Sequence, residues 1–535
     1  MLLLGASAEA SPALGDDVWI STDAEGARVV ESLLGPSAQA TLTTAPTPGQ
    51  ELLAVRLPRA QLEALSSAMH AARNRCGGFA VHDSLKAAQR ATEQPTPTTP
   101  DTTGALQVQY LIDNAATVTP LLPKLLTANL QKTIEDLSAY PTRLHSSETG
   151  KQAALWIRDR WQSFANGRAD VKVELITHKG TPQPSVALTI TGAKQPAEIV
   201  VLGGHLDSIN GKGGLAPGAD DNASGIAVLT EVARVALEAG YQPDRSVVFY
   251  AYAAEEIGLV GSGEIAADAK AKKLNVVGVL QLDMTNYNPS PSPYVAIVTD
   301  FTDAMLNGFA RQLVDEYVGV PWKDTKCGYA CSDHGPWSQR GFPAHYVHES
   351  TTDESNDHIH TAEDTLALTN GKADHSLYFA RYGVAYMAEL AKGSLPPVTE
   401  CDASRPCAGN AACQNGTCVA NVGGSAGAGG GGGGVAGALN AGGAGAPDGA
   451  LGGNPTSGAV GGGVVGGAAG TGGLSTAVGG AATSPANPSV PATTDSANGC
   501  ACRAANAPAS PQRWLWLLLP AAGLFARRHA MAGVT

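Results

Sequence analysis

The sequence lacks an excess of positive charge, and near its C-terminus it lacks a membrane span of full length. Its 535 residues include 35 Lys and Arg against 48 Asp and Glu, which gives a formal net charge of −13. This acidic balance argues against a nucleic-acid partner and favours a soluble acidic protein. The apolar run at residues 514–526 contains a proline and is shorter than the roughly 20 residues that span a bilayer comfortably.

Cysteine is scarce too, but its nine residues are grouped. The groups are a close pair (Cys327 and Cys331), a cluster (Cys401, Cys407, Cys413 and Cys418) and a late pair (Cys500 and Cys502), with Cys76 standing apart. The spacings in the cluster are too wide for a C-x2-C zinc knuckle, so we expect a two-disulfide miniature with three possible connectivities. Such grouping favours an oxidising compartment.

Changes in composition divide the chain into seven segments. They are a possible remnant of an export signal (1–15), a small α+β module (16–92), a Thr/Pro linker (93–104), a large α/β domain (105–396), the Cys-rich miniature (397–420), a disordered Gly/Ala-rich spacer (421–498) and a C-terminal sorting or anchor signal (499–535). The linker cannot pack and should be exposed to proteases, which makes it a plausible maturation site. The spacer cannot bury enough surface to fold.

The small module is predicted to contain strands at 18–20 and 52–57 and helices at 24–34 and 59–75. Its second helix has apolar residues at Leu62, Leu65, Met69 and Ala72, a spacing that buries one face. Nothing in the module groups catalytic side chains. A folding or inhibitory pro-segment is therefore favoured over an active domain.

The large domain alternates predicted strands and helices. Helices are expected at 122–137, 153–164, 224–238, from 262, and at 303–317, and strands at 171–176, 186–190, 198–202, 246–251, 276–282 and 294–298. This alternation predicts an α/β fold with a central, mostly parallel mixed sheet that is covered by helices on both faces. Ligands of such folds bind at the carboxyl ends of the strands.

Candidate metal ligands stand at several of these strand ends. The apolar run 199–202 leads into GGHLDS, which places His205 and Asp207 at the end of a strand, and a carboxylate two residues after an imidazole is well placed to fix its second nitrogen. The other candidates are Asp221 in APGADDNASG, Glu256 in AAEEIG, Asp283 in QLDMTNY and His360 in HIHTAEDTL. Each one closes a strand or opens a helix, so all can point into one cleft.

Two imidazoles and three carboxylates suit zinc, and one carboxylate must bridge if two ions lie about 3.5 to 4 Å apart. Asp221 is the best candidate for the shared ligand, because it starts the turn in the middle of the set. Each residue alone has a structural alternative: Asn222 or Ser224 can cap the following helix, and a Glu pair can complement a helix dipole. The occurrence of all five at successive strand ends favours the metal site.

Glu255, next to Glu256, completes the chemistry. A water activated by metal ions still needs a carboxylate that accepts its proton and later delivers it to the leaving amine. Adjacent glutamates can divide these tasks, one holding metal and the other facing the water. Glu255 is therefore the predicted general base.

The motifs GGHLDS, APGADDNASG, AYAAEEIGLVGS, QLDMTNYN, CGYACSDH and IHTAEDTL together resemble those of the secreted bacterial leucyl aminopeptidases, which are co-catalytic di-zinc exopeptidases. The resemblance covers residues 105–395. It implies His205 and Asp283 on one zinc, Glu256 and His360 on the other, Asp221 as the bridge before a cis peptide bond to Asn222, Asp207 orienting His205, and Glu255 as acid and base. The end of the small module, RCGGFAVHDS, is similar to the pro-segments of these enzymes.

The resemblance also implies a substrate pocket. In the family, CGYAC forms a short disulfide loop beside that pocket, which implies a Cys327–Cys331 bond with Tyr329 near the substrate carbonyl; an inert structural bridge is the alternative. Family members line the pocket with Met and aromatic residues, and here Met284 and Ile359 remain. Tyr346, His348, Thr352 and Ser355 stand where aromatic residues are expected. A more polar or wider pocket follows, and strict leucine specificity is not expected.

These features and the resemblance predict an exported, zymogen-derived aminopeptidase with two Zn²⁺ ions. We expect it to act on peptides with a free, apolar N-terminal residue and its domain to be monomeric. The order of Cys500 and Cys502, an apolar run and Arg527-Arg528 resembles C-terminal sorting signals of the myxobacterial type, which implies transient membrane contact and a cell-surface or extracellular location. Two alternatives stay open: a single-zinc glutaminyl cyclase, and a catalytically silent surface protein.

Overall fold

The computed structural model describes residues 17–34, 52–73, 77–92, 109–397, 401, 406–407, 411–414 and 416–420. The predictions for the export signal (1–15), the linker (93–104), the spacer (421–498) and the C-terminal signal (499–535) lie outside the described residues. Among the helices that are described, none combines the length and the apolar character needed to cross a membrane.

The N-terminal module is a three-stranded antiparallel sheet with three helices. Its elements are β1 (Asp17–Asp23), α1 (Ala24–Leu34), β2 (Leu52–Pro58), α2 (Leu62–Arg73), β3 (Phe79–His82) and α3 (Leu85–Thr92), and the strand order is β2-β1-β3. The predicted pair of strands and pair of helices are present, whereas β3 and α3 were not predicted. Leu62, Leu65 and Met69 of α2 are buried as expected, but Ala72 is exposed because it lies in the last turn.

The module shares an apolar interface with the large domain. Leu65 and Phe79 belong to the same buried cluster as Ile257 and Val260 of the large domain. The backbone N–H of Val81 donates to the carbonyl oxygen of Gly258 at 2.9 Å. Gly258 has φ +103°, and a Cβ there would lie 2.7 Å from the side chains of Phe79 and Val81, so glycine allows this close approach.

The large domain contains an eight-stranded sheet in the order β10-β9-β11-β8-β6-β7-β5-β4. The strands are β4 (Val171–Ile176), β5 (Ser185–Ile190), β6 (Gln195–His205), β7 (Arg245–Tyr252), β8 (Asn275–Leu282), β9 (Val295–Val298), β10 (Trp322–Thr325) and β11 (Ala344–His348). The helices are α4 (Ala115–Leu121), α5 (Thr127–Ser138), α6 (Glu148–Ala165), α7 (Gly225–Glu238), α8 (Val260–Ala271), α9 (Ala304–Leu313), α10 (His334–Gln339) and α11 (Ser376–Ala391).

The four central strands, β11, β8, β6 and β7, run parallel to one another, whereas β9, β5 and β4 pair antiparallel with an inner neighbour. The predicted mostly parallel, mixed α/β sheet is therefore confirmed. Val201 of β6 lies between Val248 of β7 and Val279 of β8, which fixes the register at the centre. Because these strands are parallel, their carboxyl ends meet at one edge of the sheet.

Helices cover both faces of the sheet, as the alternation of β6 shows. Val200 and Leu202 pack in the same cluster as residues of α6, α7 and α11. Val201, one residue away, packs on the opposite face with Ile265 of α8 and Trp337 of α10. Successive side chains of a strand point to opposite faces, so a continuous apolar run is what a doubly covered strand requires.

The Cys-rich miniature contains two disulfides, as predicted. They join Cys401 to Cys413 and Cys407 to Cys418. Cys413 and Cys418 lie opposite each other in a short antiparallel pair, β12 (Ala411–Gln414) and β13 (Thr417–Ala420). This selects one of the three possible connectivities. Because the sulfurs are paired with one another, they are not metal ligands.

Two neighbouring apolar residues of α6 provide a test of the core. Ile157 has no exposed surface, whereas Leu155 is 38% exposed. We expect Ile157→Ala to lower the free energy of unfolding by about 2 to 5 kcal/mol, because it leaves a cavity in the core. Leu155→Ala should change it by about 0.5 kcal/mol or less. Urea unfolding of both variants, followed by fluorescence, measures the difference, and equal losses would contradict this packing of α6.

Candidate functional site

Three neighbouring parallel strands bring the predicted residues to one edge of the sheet. His205 is the last residue of β6, Asp283 directly follows β8, and Glu255 and Glu256 follow β7 within four residues. In the sheet, β6 lies between β7 and β8. The side chains of these strand ends therefore face one another across the end of β6.

Asp221 and His360 reach the same place from loops. Asp221 lies in a kinked turn, Ala219–Ser224, that leads into α7, and its own backbone angles (φ −105°, ψ 93°) are not helical. Its peptide bond to Asn222 is cis, as the family resemblance implied. The side-chain oxygen of Asn222 accepts a hydrogen bond from the N–H of Gly225 at 2.9 Å, so the alternative role as a helix cap belongs to Asn222. His360 lies in the loop after β11.

The five side chains form two groups that share one carboxylate. His205 Nε2 lies 2.9 Å from Asp221 Oδ1 and 3.2 Å from Asp283 Oδ1. His360 Nε2 lies 3.3 Å from Asp221 Oδ2 and 2.8 Å from Glu256 Oε2. Asp221 thus turns one oxygen toward each group, which is the arrangement of a bridging ligand. In each group the candidate ligand atoms lie within 4.8 Å of one another.

The burial of this cluster calls for cations. All five residues are at most 3% exposed. Apart from the contact with His360, the carboxylate oxygens of Glu256 receive no hydrogen bond from the described residues, and neither does Oε2 of Glu255. Buried carboxylates without donors are costly unless they are paired or bind metal. Two imidazoles and three carboxylates fit one or two zinc ions by ligand type.

The pKa values of the cluster show where positive charge is favoured. Burial lowers the pKa of His360, but Glu256 and Asp221 raise it by more, to about 10. Burial raises the pKa of Glu256 to about 7, against the opposing effect of His360. For His205, burial is likewise outweighed by Asp283 and Glu255, so its pKa lies well above the usual value. A metal ion bound here must displace protons from the imidazoles.

Glu255 and Asp207 lie beside this cluster. Burial raises the pKa of Glu255 well above its usual value, although His205 opposes the shift. The carboxylate of Asp207 accepts hydrogen bonds from the N–H groups of Glu255 at 3.0 Å and Glu256 at 3.2 Å. Its Oδ1 is 3.6 Å from Nδ1 of His205, while its backbone oxygen is 3.2 Å from the same nitrogen. Asp207 therefore contacts His205 mainly through its backbone.

A cavity of about 200 Å³ adjoins the cluster. Every residue predicted for the substrate pocket lies on its wall: Met284, Tyr329, Tyr346, His348, Thr352, Ser355 and Ile359. Met284 and Ile359 directly follow or precede the candidate ligands Asp283 and His360, so the cavity opens next to them. Lys326 and Asp353 also line it, which adds charge to one side.

The loop that carries Tyr329 is closed by a Cys327–Cys331 disulfide, as the resemblance implied. The N–H groups of Cys327 and Gly328 donate to the carboxylate of Asp300 at 3.0 and 2.6 Å. Tyr329 is buried against Leu52 of the N-terminal module. The loop is therefore held by hydrogen bonds to Asp300 and packs against the module.

Two supporting residues had no signal in the sequence. Arg143 is fully buried and donates to the carbonyl oxygens of Leu206 at 2.9 Å and Gly218 at 2.8 Å, so it ties the loop after β6 to the turn that carries Asp221. The hydroxyl of Ser332 donates to Asp283 Oδ2 at 2.5 Å. A single Arg or Ser in a loop forms no pattern, and only the fold shows what it contacts.

The N-terminal module reaches the candidate ligands through α2. The hydroxyl of Ser66 donates to the backbone oxygen of Glu256 at 2.6 Å. The ring of His70 lies 4.5 Å from the ring of His360, measured between centroids. At the start of the helix, Glu63 lies 2.9 Å from Nε2 of His145. The helix therefore lies directly over the group formed by Asp221, Glu256 and His360.

Comparison with known proteins gives a consistent match. The sequence matches peptidase family M28 over residues 185–382. A probable aminopeptidase of Saccharomyces cerevisiae is 34% identical over 302 residues, covering 54% of this chain and 76% of the relative. A probable leucine aminopeptidase of Arthroderma otae is 32% identical over 360 residues, covering 66% of this chain and 95% of the relative.

A solved structure extends the match to the fold. LapB from Legionella pneumophila superposes with a TM-score of 0.61 at 30% sequence identity, and the alignment covers 70% of this chain and all of LapB (100%). This alignment covers more of the chain than residues 185–382, the segment that matches peptidase family M28.

The two groups of candidate ligands predict that the chain binds two metal ions. We expect the full-length chain, stripped by a chelator, to bind two Zn²⁺ ions in calorimetry, more tightly as pH rises because the imidazoles must lose protons. A free Zn²⁺ concentration of about 100 times Kd should raise the free energy of unfolding by about 2.7 kcal/mol for each ion bound. His205→Ala should lose one ion, whereas the control His375→Gln, a buried histidine outside both groups, should keep two. Retention of both ions by His205→Ala would contradict the assignment.

Proposed function

Since this chain belongs to peptidase family M28, we propose that it is an aminopeptidase that holds two Zn²⁺ ions and hydrolyses the first peptide bond of substrates with a free N-terminus. The observation that carries the proposal is the carboxylate of Asp221, which turns Oδ1 toward His205 and Oδ2 toward His360. A ligand shared in this way serves two ions and would have no purpose at a single-ion site.

In this proposal His205 and Asp283 hold one ion, and Glu256 and His360 hold the other. When bound, the ions would polarise the scissile carbonyl group and lower the pKa of a water molecule. Every ligand is buried in the chain that still carries the N-terminal module.

Glu255 moves the proton. Its carboxylate lies beside the ligands, is buried, and has a pKa that burial raises well above the usual value, a shift that suits a group that exchanges protons during the reaction. It takes the proton from water as oxygen adds to the carbonyl carbon. It then gives that proton to the amine as the C–N bond breaks, which releases the N-terminal residue. Asp207 holds the backbone N–H of Glu255 and so fixes where this carboxylate stands.

The cavity beside the ligands would take the side chain of the N-terminal residue. Met284 and Ile359 supply apolar surface nearest the ligands, while His348, Thr352 and Ser355 make the wall more polar. We propose a preference for apolar residues that is broad rather than restricted to leucine. Tyr329 stands on the same wall, where its hydroxyl can reach the carbonyl oxygen of the substrate.

We further propose that the enzyme is made as an exported zymogen. Support comes from helix α2, which lies over His360 and Glu256 and would block a peptide from the cleft. The linker 93–104 is the proposed cleavage region, after which the module must leave. Disulfides in the described part of the chain support export, to the cell surface or the medium. We also propose that the domain acts on peptides as a monomer and, from the net charge of −13, that it has no nucleic-acid partner.

The two alternatives are weaker on specific grounds. A single-zinc glutaminyl cyclase needs only one ion, whereas the shared position of Asp221 supports two. A silent surface protein has no need for Glu255, whose buried carboxylate is costly to keep without a catalytic role.

Removal of the module should switch on activity. A full-length chain with a specific protease site inserted at 93–104 is expected to be inactive on aminoacyl chromogenic substrates. After cleavage and removal of the module it should release the first residue, lose activity to a chelator, and regain it with Zn²⁺. N-terminally acetylated substrates serve as the control and should not react. Full activity of the uncut chain would contradict the zymogen proposal, and cyclisation of an N-terminal glutamine without hydrolysis would favour the cyclase.

Replacement of Glu255 separates proton transfer from metal binding. Glu255→Gln keeps the size of the side chain but cannot accept a proton, so kcat should fall by about 10²- to 10⁴-fold. Two Zn²⁺ per chain should remain, as measured by elemental analysis. The matched control Glu238→Gln changes a glutamate at the exposed end of α7 and should keep full activity. An active Glu255→Gln enzyme would remove Glu255 from the mechanism.

A further inference from the structure

A buried carboxylate outside the proposed ligand set accepts hydrogen bonds from the turn that carries Asp221. Asp364 is 1% exposed and lies four residues beyond His360. Its Oδ1 accepts a hydrogen bond from the N–H of Asp220 and its Oδ2 from the N–H of Asp221, both at 3.0 Å. Its own backbone oxygen accepts from the N–H of Ala219 at 3.1 Å. Three successive N–H groups of the turn therefore end on one residue.

The same arrangement occurs on the other side of the site. Asp207 lies two residues beyond His205, and its two carboxylate oxygens accept the successive N–H groups of Glu255 and Glu256. In each case the loop that carries a candidate histidine ligand also carries an aspartate, and that aspartate holds the backbone of an acidic pair. The repetition indicates that both acidic pairs need their backbone fixed relative to a histidine.

The side chains of the acidic pair at the turn are directed apart. The carboxylate of Asp220 accepts hydrogen bonds from the N–H of Asn286 at 3.1 Å and from the side chain of Asn356 at 3.1 Å. The carboxylate of Asp221 instead faces His205 and His360. Asp364 therefore contacts the pair through its backbone N–H groups, whereas the two side chains face other partners.

From this geometry we propose that Asp364 is a positioning residue for the reaction: its carboxylate fixes the backbone of Asp220 and Asp221 so that Asp221 presents one oxygen to each metal group. The inference rests on the proposed function, because it takes the two groups as metal sites. It adds a residue that binds neither metal nor substrate. It also joins His360 to Asp221 through the chain between 360 and 364, so the two ligands move as one unit.

The chemistry of position 364 allows few substitutes. Two N–H donors converge on the two oxygens, so both positions must be acceptors. An Asn would place an NH₂ group against one of these donors, which breaks that hydrogen bond and leaves two buried donors facing each other. Asp364→Asn therefore changes the hold on the turn with almost no change in volume.

Glu389 offers a matched control. It is also 1% exposed, and its Oε2 accepts the successive N–H groups of Asp113 at 3.0 Å and Asn114 at 2.8 Å. It lies in α11, and its contacts are with residues outside both metal groups. Glu389→Gln removes the charge from a carboxylate that holds two successive N–H groups at a structural position. A loss of stability shared by both variants is therefore separated from a loss that concerns the metal site.

The experiment is zinc calorimetry on the full-length chain after removal of metal by a chelator, with thermal unfolding of the metal-free proteins alongside. We expect Asp364→Asn to weaken binding of at least one Zn²⁺ by about 10- to 100-fold. Glu389→Gln should bind both ions with wild-type Kd, even where its Tm falls as far. Amide hydrogen exchange of the segment 219–224 should become faster in Asp364→Asn and stay unchanged in Glu389→Gln.

The outcomes distinguish the two levels of inference. A wild-type chain that binds no Zn²⁺ overturns the proposed function and this inference with it. Wild-type binding of two ions, with equal Kd values in Asp364→Asn, overturns only the role of Asp364. If Asp364→Asn does not fold, Asp364→Ala takes its place, because water can then reach both N–H groups. The same criterion applies: unchanged Kd values refute the positioning role, and weakened ones support it.

Discussion

One carboxylate that must face two groups at once sets the geometry of the site. Asp221 turns Oδ1 toward His205 and Oδ2 toward His360. To hold both oxygens in these directions, the backbone that carries Asp221 must be positioned precisely. The fold meets the requirement by ending three adjacent parallel strands at one edge and by fixing the turn 219–224 from two sides. Arg143 donates to the carbonyl of Gly218 before the turn, and Asp364 accepts the N–H groups within it.

The cost of this arrangement is a concentration of buried charge. Burial raises the pKa values of Glu255 and Glu256, whereas the neighbouring carboxylates raise the pKa values of His205 and His360 and so favour their positive charge. A protein that binds cations here exchanges protons for metal, so metal binding, folding and pH are linked. The surrounding core, in which β6 is apolar on both faces, contributes stability that offsets the free-energy cost of burying these charges.

The strand-end residues were predictable because each follows an apolar run, and the pattern of five such positions is stronger than any one of them. Sequence patterns gave the alternating fold and the parallel centre for the same reason, although β6 extends three residues further than predicted, to His205 itself. Other residues that support the ligands through hydrogen bonds were not predicted. Arg143, Ser332 and Asp364 are single polar residues in loops, and their partners lie far away in sequence. Helix α11 was not predicted, because its nearly uniform apolar character lacks an amphipathic period.

The loop after β7 contributes residues both to the candidate site and to the interface with the N-terminal module. On one side it carries Glu255 and Glu256 into the cleft, and on the other Ile257 and Val260 enter a core shared with Leu65 and Phe79 of the module. The described part of this shared core is built from residues of the module and of the large domain. The apolar interface would hold the module in place until the module is itself degraded or displaced. Activation of such a precursor therefore depends on the stability of the module after cleavage, and not on cleavage alone.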